Sequence, residues 1–298
     1  MLSRQDRTSR VKPRAVPIVH TGRPDTGPHH PSRVTERNDE PFGDIPRAVL
    51  GPVPVLWVDR RTALEETLRA VVEGRKLHLA FCNAHTMRLA HRDHAYASLL
   101  RRLTVLNDGV GMNLAARMIH GRRFPSNLNG TDFVPELLAC APAGTRTYLL
   151  GARPHVVARA AEAIGRHAPE LVVVGHRDGY FADDEVPAIL ADIAAAKPDI
   201  LLVALGNPKQ EQFVATHAEH IAATVTIAVG ALFDFMAGEF PRAPRVLRSM
   251  GLEWSWRLLQ EPGRLFERYT VGNTAFLWHT LKFKNARKRE TLAGPPPP

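Results

Sequence analysis

The chain has little of what marks secreted or membrane-spanning proteins. Only two cysteines occur, Cys82 and Cys140, which is too few for a disulfide framework or a cysteine-based zinc site. No run approaches the ~18–20 consecutive apolar residues that a transmembrane helix needs. The basic start, MLSRQDRTSRVKPR, lacks the apolar core of a signal peptide. These absences predict a protein of the cytoplasm.

Several ligand-binding motifs are missing as well. No GxxxxGK[ST] segment occurs, which argues against a P-loop, and the turn at Gly151–Arg153 lacks the GxGxxG spacing, which argues against a Rossmann oxidoreductase. No two aspartates are separated by one residue, so the Asp-x-Asp clamp for a metal and a nucleotide diphosphate is absent. His85, His91 and His94 lack the regular spacing to carboxylates or cysteines that a metal site requires. No metal and no cofactor are therefore expected.

Positive charge is concentrated at the C-terminal end of the chain. The formal net charge is +9, and residues 241–298 hold eleven Lys or Arg residues against four Glu, whereas the central part is nearly neutral. A basic tail favours an anionic partner, which leaves a membrane surface, a nucleic acid or a phosphorylated ligand open. No base-reading module is recognisable, and the tail interleaves Trp with Arg as lipid-facing helices do, so nucleic acid is not expected.

Apolar strands and amphipathic helices alternate through the middle of the sequence. This pattern predicts an α/β protein with a Rossmann-like, mostly parallel sheet covered by helices on both faces, followed by a helical C-terminal appendage. The predicted regions are a disordered leader at 1–47, a catalytic domain at 48–240, a basic appendage at 241–290 and a disordered tail at 291–298. The predicted strands are Val53–Val58, Leu77–Cys82, Thr104–Leu106, Arg146–Leu150, Leu171–Val174, Ile200–Ala204 and Val225–Val229. The predicted helices are Thr62–Glu73, Ala95–Arg102, Val110–His120, Asp132–Cys140, His155–His167, Asp184–Ala196 and Lys209–His220.

Polar residues follow the predicted strands at the edge where such sheets bind ligands. Asn83 follows the second predicted strand. Two roles fit it equally well at this position: a helix cap, or a hydrogen bond to a base or a sugar hydroxyl. Asp108, between Asn107 and Gly109, could accept a proton from a hydroxyl nucleophile, although Asn-Asp-Gly is also ordinary turn chemistry. Asp132 begins a helix, where a capping role is the simpler interpretation.

The strongest local signal lies after the strand Ile200–Ala204. Gly206 permits an unusual backbone angle, the proline of Asn207-Pro208 suits the first turn of a helix, and Lys209 adds a cation beside free N–H groups. This combination predicts an anion-binding loop. Gln210 and Glu211 follow in the first turn, where Glu211 could also serve only the helix dipole.

Six segments in order resemble a known family. They are NDGVGMNLAAR, NGTDF, GYF, PDILLVALGNPKQE, VGALFDFMAGEFPRAP and GLEWSWRLLQEPGRLFERYTVGN, and together they resemble the WecG/TagA/CpsF glycosyltransferases. The resemblance implies an inverting, metal-independent enzyme. It would move a sugar from a UDP-sugar to a polyprenyl-diphosphate-linked saccharide in teichoic acid, common antigen or exopolysaccharide assembly. It also implies peripheral association with the inner membrane, and a homo-oligomer is left open.

The resemblance assigns roles to residues of this sequence. Asp108 would be the general base, and the C-terminal arginines would face the diphosphate. The residues expected to bind the donor sugar and nucleotide are Asn83, Asn107, Gly109, Asp132, Gly206, Asn207, Lys209, Gln210, Glu211 and Gly230, and those expected at the diphosphate are Arg242, Arg257, Arg264 and Arg268.

Two positions depart from the family pattern near the expected donor sugar. Phe81 stands where many members have Thr, and Ser126–Asn129 lacks an Arg that many members carry. These departures favour a donor other than N-acetylmannosamine, with glucose as one candidate. The alternative to an enzyme is a non-catalytic nucleotide- or lipid-binding scaffold of the same assembly pathway.

Overall fold

A computed structural model describes residues 40–241, 243–244, 247, 253–260, 263 and 271–293, without the side chains of 253, 254, 257, 271, 273 and 286–293. The strands are β1 (Arg47–Val49), β2 (Pro54–Leu56), β3 (Leu77–Cys82), β4 (Thr104–Asn107), β5 (Arg146–Gly151), β6 (Val172–Arg177), β7 (Ile200–Ala204) and β8 (Val225–Ala228). The helices are α1 (Arg60–Glu73), α2 (Ala84–Arg92), α3 (His94–Arg101), α4 (Val110–His120), α5 (Gly130–Cys140), α6 (Pro154–His167), α7 (Val186–Ala196), α8 (Lys209–Thr216), α9 (Leu232–Met236), α10 (Glu253–Gln260) and α11 (Val271–Ala293), with a 3-10 turn at Asp183–Glu185.

Six parallel strands form the central sheet in the order β4-β3-β8-β7-β5-β6. Every residue of β7 and β8 is buried, because parallel strands covered on both faces have no solvent side. The pairing Cys82↔Asn107 aligns the ends of β3 and β4, and Val203↔Ala228 does the same for β7 and β8. The predicted α/β class and parallel sheet are confirmed, and four polar loops meet at one edge of the sheet.

The sheet separates two hydrophobic cores. Alternate residues of β3 enter opposite cores, with Leu79 and Phe81 on one face and Ala80 and Cys82 on the other. Helices α1, α5, α6 and α9 contribute to the first core, and α2, α3, α4, α7, α8 and α11 contribute to the second. The C-terminal helix α11 thus packs on the same face as α2, α4 and α8, which follow the predicted site residues Asn83, Asp108 and Gly206.

Some elements differ from the sequence-based prediction. The first predicted strand, Val53–Val58, is not part of the parallel sheet: β2 pairs antiparallel with β1, a strand that the prediction lacks and that begins at the last residue of the predicted leader. The helix α2 was missed, because its His and Arg residues, including the buried Arg88, blur the helical apolar pattern. The predicted helix Lys209–His220 ends at Thr216, after which His220 N–H donates to the His217 carbonyl in a turn.

Helix α11 is held to the body by side chains of its first half. The ring of Phe276 is buried, and it lies 3.8 Å from the point where a side chain on Gly111 of α4 would begin. On the α2 side, the rings of His279 and His91 stack with centroids 4.7 Å apart and planes 13° from parallel. Burial lowers the pKa of His91 to about 4, and burial, with Lys282 and Arg92 nearby, lowers the pKa of His279.

This histidine pair predicts that α11 docks less tightly in acid. Both rings are neutral when docked, and an undocked histidine has its ordinary pKa of 6.5. The contribution to docking is therefore complete above pH 6.5 and is lost as the pH falls towards about 4. Hydrogen exchange of residues 271–285, corrected for intrinsic rates, should show lower protection at pH 5 than at pH 7.5. The variant His91→Phe should flatten this dependence, and an unchanged dependence in that variant would contradict the assignment.

Candidate functional site

The polar loops of the site begin where adjacent strands end. Asn83 follows β3, Asp108 follows β4, Gly206 lies two residues beyond β7, and Gly230 lies two residues beyond β8. Because β4, β3, β8 and β7 are consecutive parallel neighbours, these four positions lie along one edge of the sheet. The structure therefore brings three of the predicted loops, together with Gly230, to the same edge, whereas the segment that carries Asp132 follows α4 and not a strand.

Asn83 joins the first two loops. Its side-chain oxygen caps α2 by accepting hydrogen bonds from the backbone N–H groups of His85 and Thr86, both at 3.1 Å. Because the oxygen is used in this way, the amide nitrogen faces the neighbouring loop, and it donates to the Asp108 carboxylate at 3.2 Å. The cap alternative is thus observed, and the same side chain positions the candidate base. A contact to a sugar stays a prediction.

The backbone around Asp108 is fixed from both sides. The Asp108 N–H donates to the Cys82 carbonyl at 2.9 Å, and the Gly109 N–H donates to the side chain of Asn127 at 2.7 Å. Gly109 has a φ of 88°, in the region that favours glycine, so the turn chemistry of Asn-Asp-Gly is present too. The carboxylate of Asp108 follows a strand and precedes the N-terminus of α4, where a negative charge is favourable.

Asn107 and Asn127 both support this turn. Asn107 is fully buried, and its side chain donates to the Ser126 carbonyl at 2.9 Å, while its own carbonyl accepts from Leu128 N–H at 3.2 Å. Asn107 thus ties β4 to the segment 126–128, and its contact with a ligand stays a prediction. The contribution of Asn127 was missed in the sequence, because the partner that it binds is 18 residues away.

The start of α5 forms a second polar group. Asn129 caps the helix by accepting from Asp132 N–H at 2.9 Å, and its amide donates to the Asp132 carboxylate at 3.0 Å. The ring of Phe81 underlies this turn, since a side chain on Gly130 would begin 3.0 Å from it. Phe81 also meets Phe133 edge to face, with centroids 6.0 Å apart. An aromatic ring thus lies beneath the turn that carries Asp132.

Glu211 is the centre of a buried network on the β7 side. Its side chain accepts hydrogen bonds from Asn207 at 2.5 Å, from Gln210 at 2.7 Å and from the Tyr96 hydroxyl at 3.1 Å. Gln210 in turn accepts from Gly230 N–H at 3.0 Å, which joins the loops after β7 and β8. Glu211 is fully buried and Gln210 nearly so, so both are placed to act through the loops they hold.

Burial dominates the electrostatics of this network. It raises the pKa of Glu211 to about 7, against the hydrogen bonds from Gln210, Tyr96 and Asn207, which act in the opposite direction. Burial and the nearby Glu211 also raise the pKa of Tyr96, so its hydroxyl stays protonated and remains a donor. Asn207 is only partly buried and Lys209 is exposed, so these two residues can reach a ligand above the sheet.

Comparison with known proteins identifies the family. The profile of the family described as "Glycosyl transferase WecG/TagA/CpsF family" matches residues 48–290. The chain belongs to this family.

Two relatives of this glycosyltransferase carry the same name, N-acetylglucosaminyldiphosphoundecaprenol N-acetyl-beta-D-mannosaminyltransferase. The one from Bacillus spizizenii (strain W23) is 34% identical over 191 residues, which cover 64% of this chain and 72% of the relative. The one from Bacillus subtilis (strain 168) is 31% identical over 203 residues, which cover 67% of this chain and 75% of the relative. The predicted family and enzyme class are thereby confirmed.

The cationic part of this glycosyltransferase's predicted site lies largely outside the described residues. Arg242, Arg264 and Arg268 are not described, and Arg257 lies in α10 without a described side chain. Their contact with a diphosphate stays a prediction. Within the described part of the chain, no group of three or more His, Cys, Asp or Glu side chains could hold a metal ion, and no helix is long and apolar enough to cross a membrane.

Proposed function

We propose that this glycosyltransferase moves a sugar from a UDP-sugar to a saccharide carried on a polyprenyl diphosphate, with inversion and without a metal ion. The names of the two relatives support the acceptor class, since both specify N-acetylglucosaminyldiphosphoundecaprenol. The family resemblance supports the UDP donor, the inversion and the metal-free reaction. The observation that carries the proposal is the Asp108 carboxylate, held by Asn83 at the edge of the sheet.

The proposed reaction is a single displacement. The acceptor hydroxyl attacks the anomeric carbon from the side opposite UDP, and the bond between that carbon and the phosphate oxygen breaks. Asp108 takes the proton of the hydroxyl, and UDP leaves with the bonding electrons. Attack from the opposite side inverts the configuration of the anomeric carbon.

The leaving diphosphate needs compensation for its developing charge. Lys209 offers one exposed cation at the start of α8, where the helix dipole also favours an anion, although the Gln210 N–H predicted to be free donates to the Gly206 carbonyl at 2.9 Å. We assign the larger part to Arg242, Arg257, Arg264 and Arg268, because a guanidinium pairs with phosphate oxygens through two parallel hydrogen bonds. Peripheral binding at the inner membrane would bring the enzyme to its lipid-linked acceptor.

Phe81 bears on the choice of donor. Its buried ring supports the turn that carries Asp132, and it offers no hydrogen bond to a sugar substituent. A donor that depends on a hydroxyl at this position would lose that interaction. UDP-glucose is therefore a candidate donor beside UDP-N-acetylmannosamine, since the names of the relatives specify the transfer of N-acetylmannosamine.

A donor screen tests the proposal. Purified enzyme is given UDP-glucose, UDP-N-acetylmannosamine or UDP-glucuronate with a polyprenyl-diphosphate-linked saccharide, with and without EDTA, and released UDP is measured. We expect one donor to be consumed at the same rate in EDTA, and no release when the acceptor is omitted. If UDP binds but no donor is consumed, the scaffold alternative replaces the transferase. A rate abolished by EDTA and restored by a divalent cation would contradict the metal-free reaction.

A further inference from the structure

Helices α4 and α11 carry exposed apolar side chains although each also has a buried face. On α4, Val110 and Leu114 are 53% and 43% exposed, while Met112 and Ala115 lie in the core. On α11, Trp278 and Leu281 are 51% and 47% exposed. Scattered exposed apolar residues need no explanation, but these four occur in two pairs on helices that pack against each other.

The two helices lie side by side. They are in direct contact, and the Phe276 ring approaches Gly111, one residue after Val110. Gly111 and the core residue Met112 mark the sides of α4 that face α11 and the sheet. Val110 and Leu114 lie one turn apart on the remaining side. Their exposure is therefore a property of the folded surface and not of a frayed end.

Acidic residues are scarce in this region: α4 has none, and α11 has only Glu290, near its end. Residues 109–131 include Arg117, Arg122 and Arg123 but no Asp or Glu, and residues 271–289 include five Lys or Arg residues and again no Asp or Glu. Arg117, Arg122 and Arg123 are exposed, as are Lys282 and Lys284. The Lys282 ammonium lies 3.5 Å from the centre of the Trp278 ring. Exposed apolar groups among unopposed cations are typical of helices that lie in the interface of an anionic bilayer.

We infer that the membrane-docking surface of this protein extends from the tail onto α4, with Val110 and Leu114 entering the headgroup region and Arg117 meeting anionic lipid. This inference rests on the proposed function, in which Asp108 is the base. Helix α4 starts two residues after Asp108. A bilayer against α4 would place the candidate base close to the surface where a polyprenyl-linked acceptor lies. A nucleic acid would also meet the cations, but it gives no reason for four exposed apolar side chains.

Vesicle binding tests the surface. Wild-type protein, Leu114→Glu and Arg117→Glu are sedimented with vesicles of phosphatidylcholine containing phosphatidylglycerol, and with pure phosphatidylcholine. Loss of one cation should weaken binding to the anionic vesicles about fivefold. Arg117→Glu also adds a negative charge, so it should weaken binding by more than that. Replacing the inserted leucine by a carboxylate should weaken it about tenfold or more. The matched control is Val72→Glu, since Val72 is 68% exposed on α1 across the sheet, and it should bind as wild type does.

Three outcomes would overturn the inference. Both α4 variants could bind anionic vesicles as wild type does, wild type could prefer neutral vesicles, or wild type could bind duplex DNA in preference to anionic vesicles. The last result would indicate a nucleic-acid surface instead.

A second acceptor separates this inference from the proposed function. With a short-chain, water-soluble prenyl-diphosphate saccharide, Leu114→Glu and Arg117→Glu should turn over as wild type does, but they should be slow with acceptor embedded in vesicles. Variants that are folded and equally slow with both acceptors would place α4 in the reaction site and contradict a docking role. Absence of turnover by wild type with either acceptor would remove the proposed function, while the vesicle result would still decide the docking surface.

Discussion

Asp108→Asn should reduce sugar transfer by about 10²–10⁴-fold while leaving UDP binding and the folded state intact. The substitution removes the group that accepts the proton of the attacking hydroxyl but preserves the size of the side chain. The side-chain oxygen of the asparagine can still accept a hydrogen bond from the Asn83 amide, so the bond observed at 3.2 Å in the wild type can be kept. Transfer is measured as UDP released in the presence of lipid-linked acceptor, and UDP binding is measured by calorimetry.

The control for this variant is Asp199→Asn. Asp199 lies directly before β7, at the edge of the sheet opposite the site, and its carboxylate accepts from Arg146 N–H at 2.7 Å. The side-chain oxygen of asparagine can accept in the same way, so this substitution should leave transfer unchanged. Transfer by Asp108→Asn at the wild-type rate would exclude Asp108 as the base. Loss of transfer in both variants would show that the effect is not specific to the site.

Glu211→Ala should be the most destabilising substitution in the described site, at about 3–5 kcal/mol of unfolding free energy, because each buried donor left without an acceptor costs about 1–3 kcal/mol. It leaves the Tyr96 hydroxyl and the Gln210 amide in the core, and the Asn207 amide beside it, without the acceptor that they share. It also frees the loop after β7, which Gln210 joins to the loop after β8. Urea denaturation measures the change, and a loss below ~1 kcal/mol would show that the network contributes little.

Glu211→Gln is the matched variant. A glutamine can accept from Asn207 and Gln210 and donate to Tyr96, so the fold should be kept. Because burial raises the folded pKa of Glu211 from 4.5 to about 7, the folded wild type holds an extra proton between these values. The stabilising effect of this proton is on the order of 3 kcal/mol of unfolding free energy. It is complete below pH 4.5 and is lost as the pH rises through about 7. The glutamine variant should lack this dependence, and an identical pH profile would refute the raised pKa.

Short-range patterns account for what could be predicted from the sequence. Strands such as Leu77–Cys82 and Ile200–Ala204 were located correctly, because a continuous apolar run between helical patterns has few other interpretations. Parallel pairing then follows from the βα alternation, and it places the residues after the strands at one edge. Asn83 and Asp108 could be named as candidates on this basis, since position in a parallel sheet depends on local pattern.

Contacts between distant residues account for what could not be predicted. Glu211 was expected in the first turn of a helix, where it would favour the dipole, but its burial depends on Tyr96, 115 residues earlier in the chain. The turn at Gly109 depends on Asn127, and the exposed stripe of α4 depends on where Phe276 of α11 packs. By itself, the sequence determined the order of strands and helices and the chemistry at their ends, since these follow from neighbouring residues. Only the tertiary structure decided which polar groups are buried, which are paired and which helix faces stay exposed, because each depends on partners far apart in the chain.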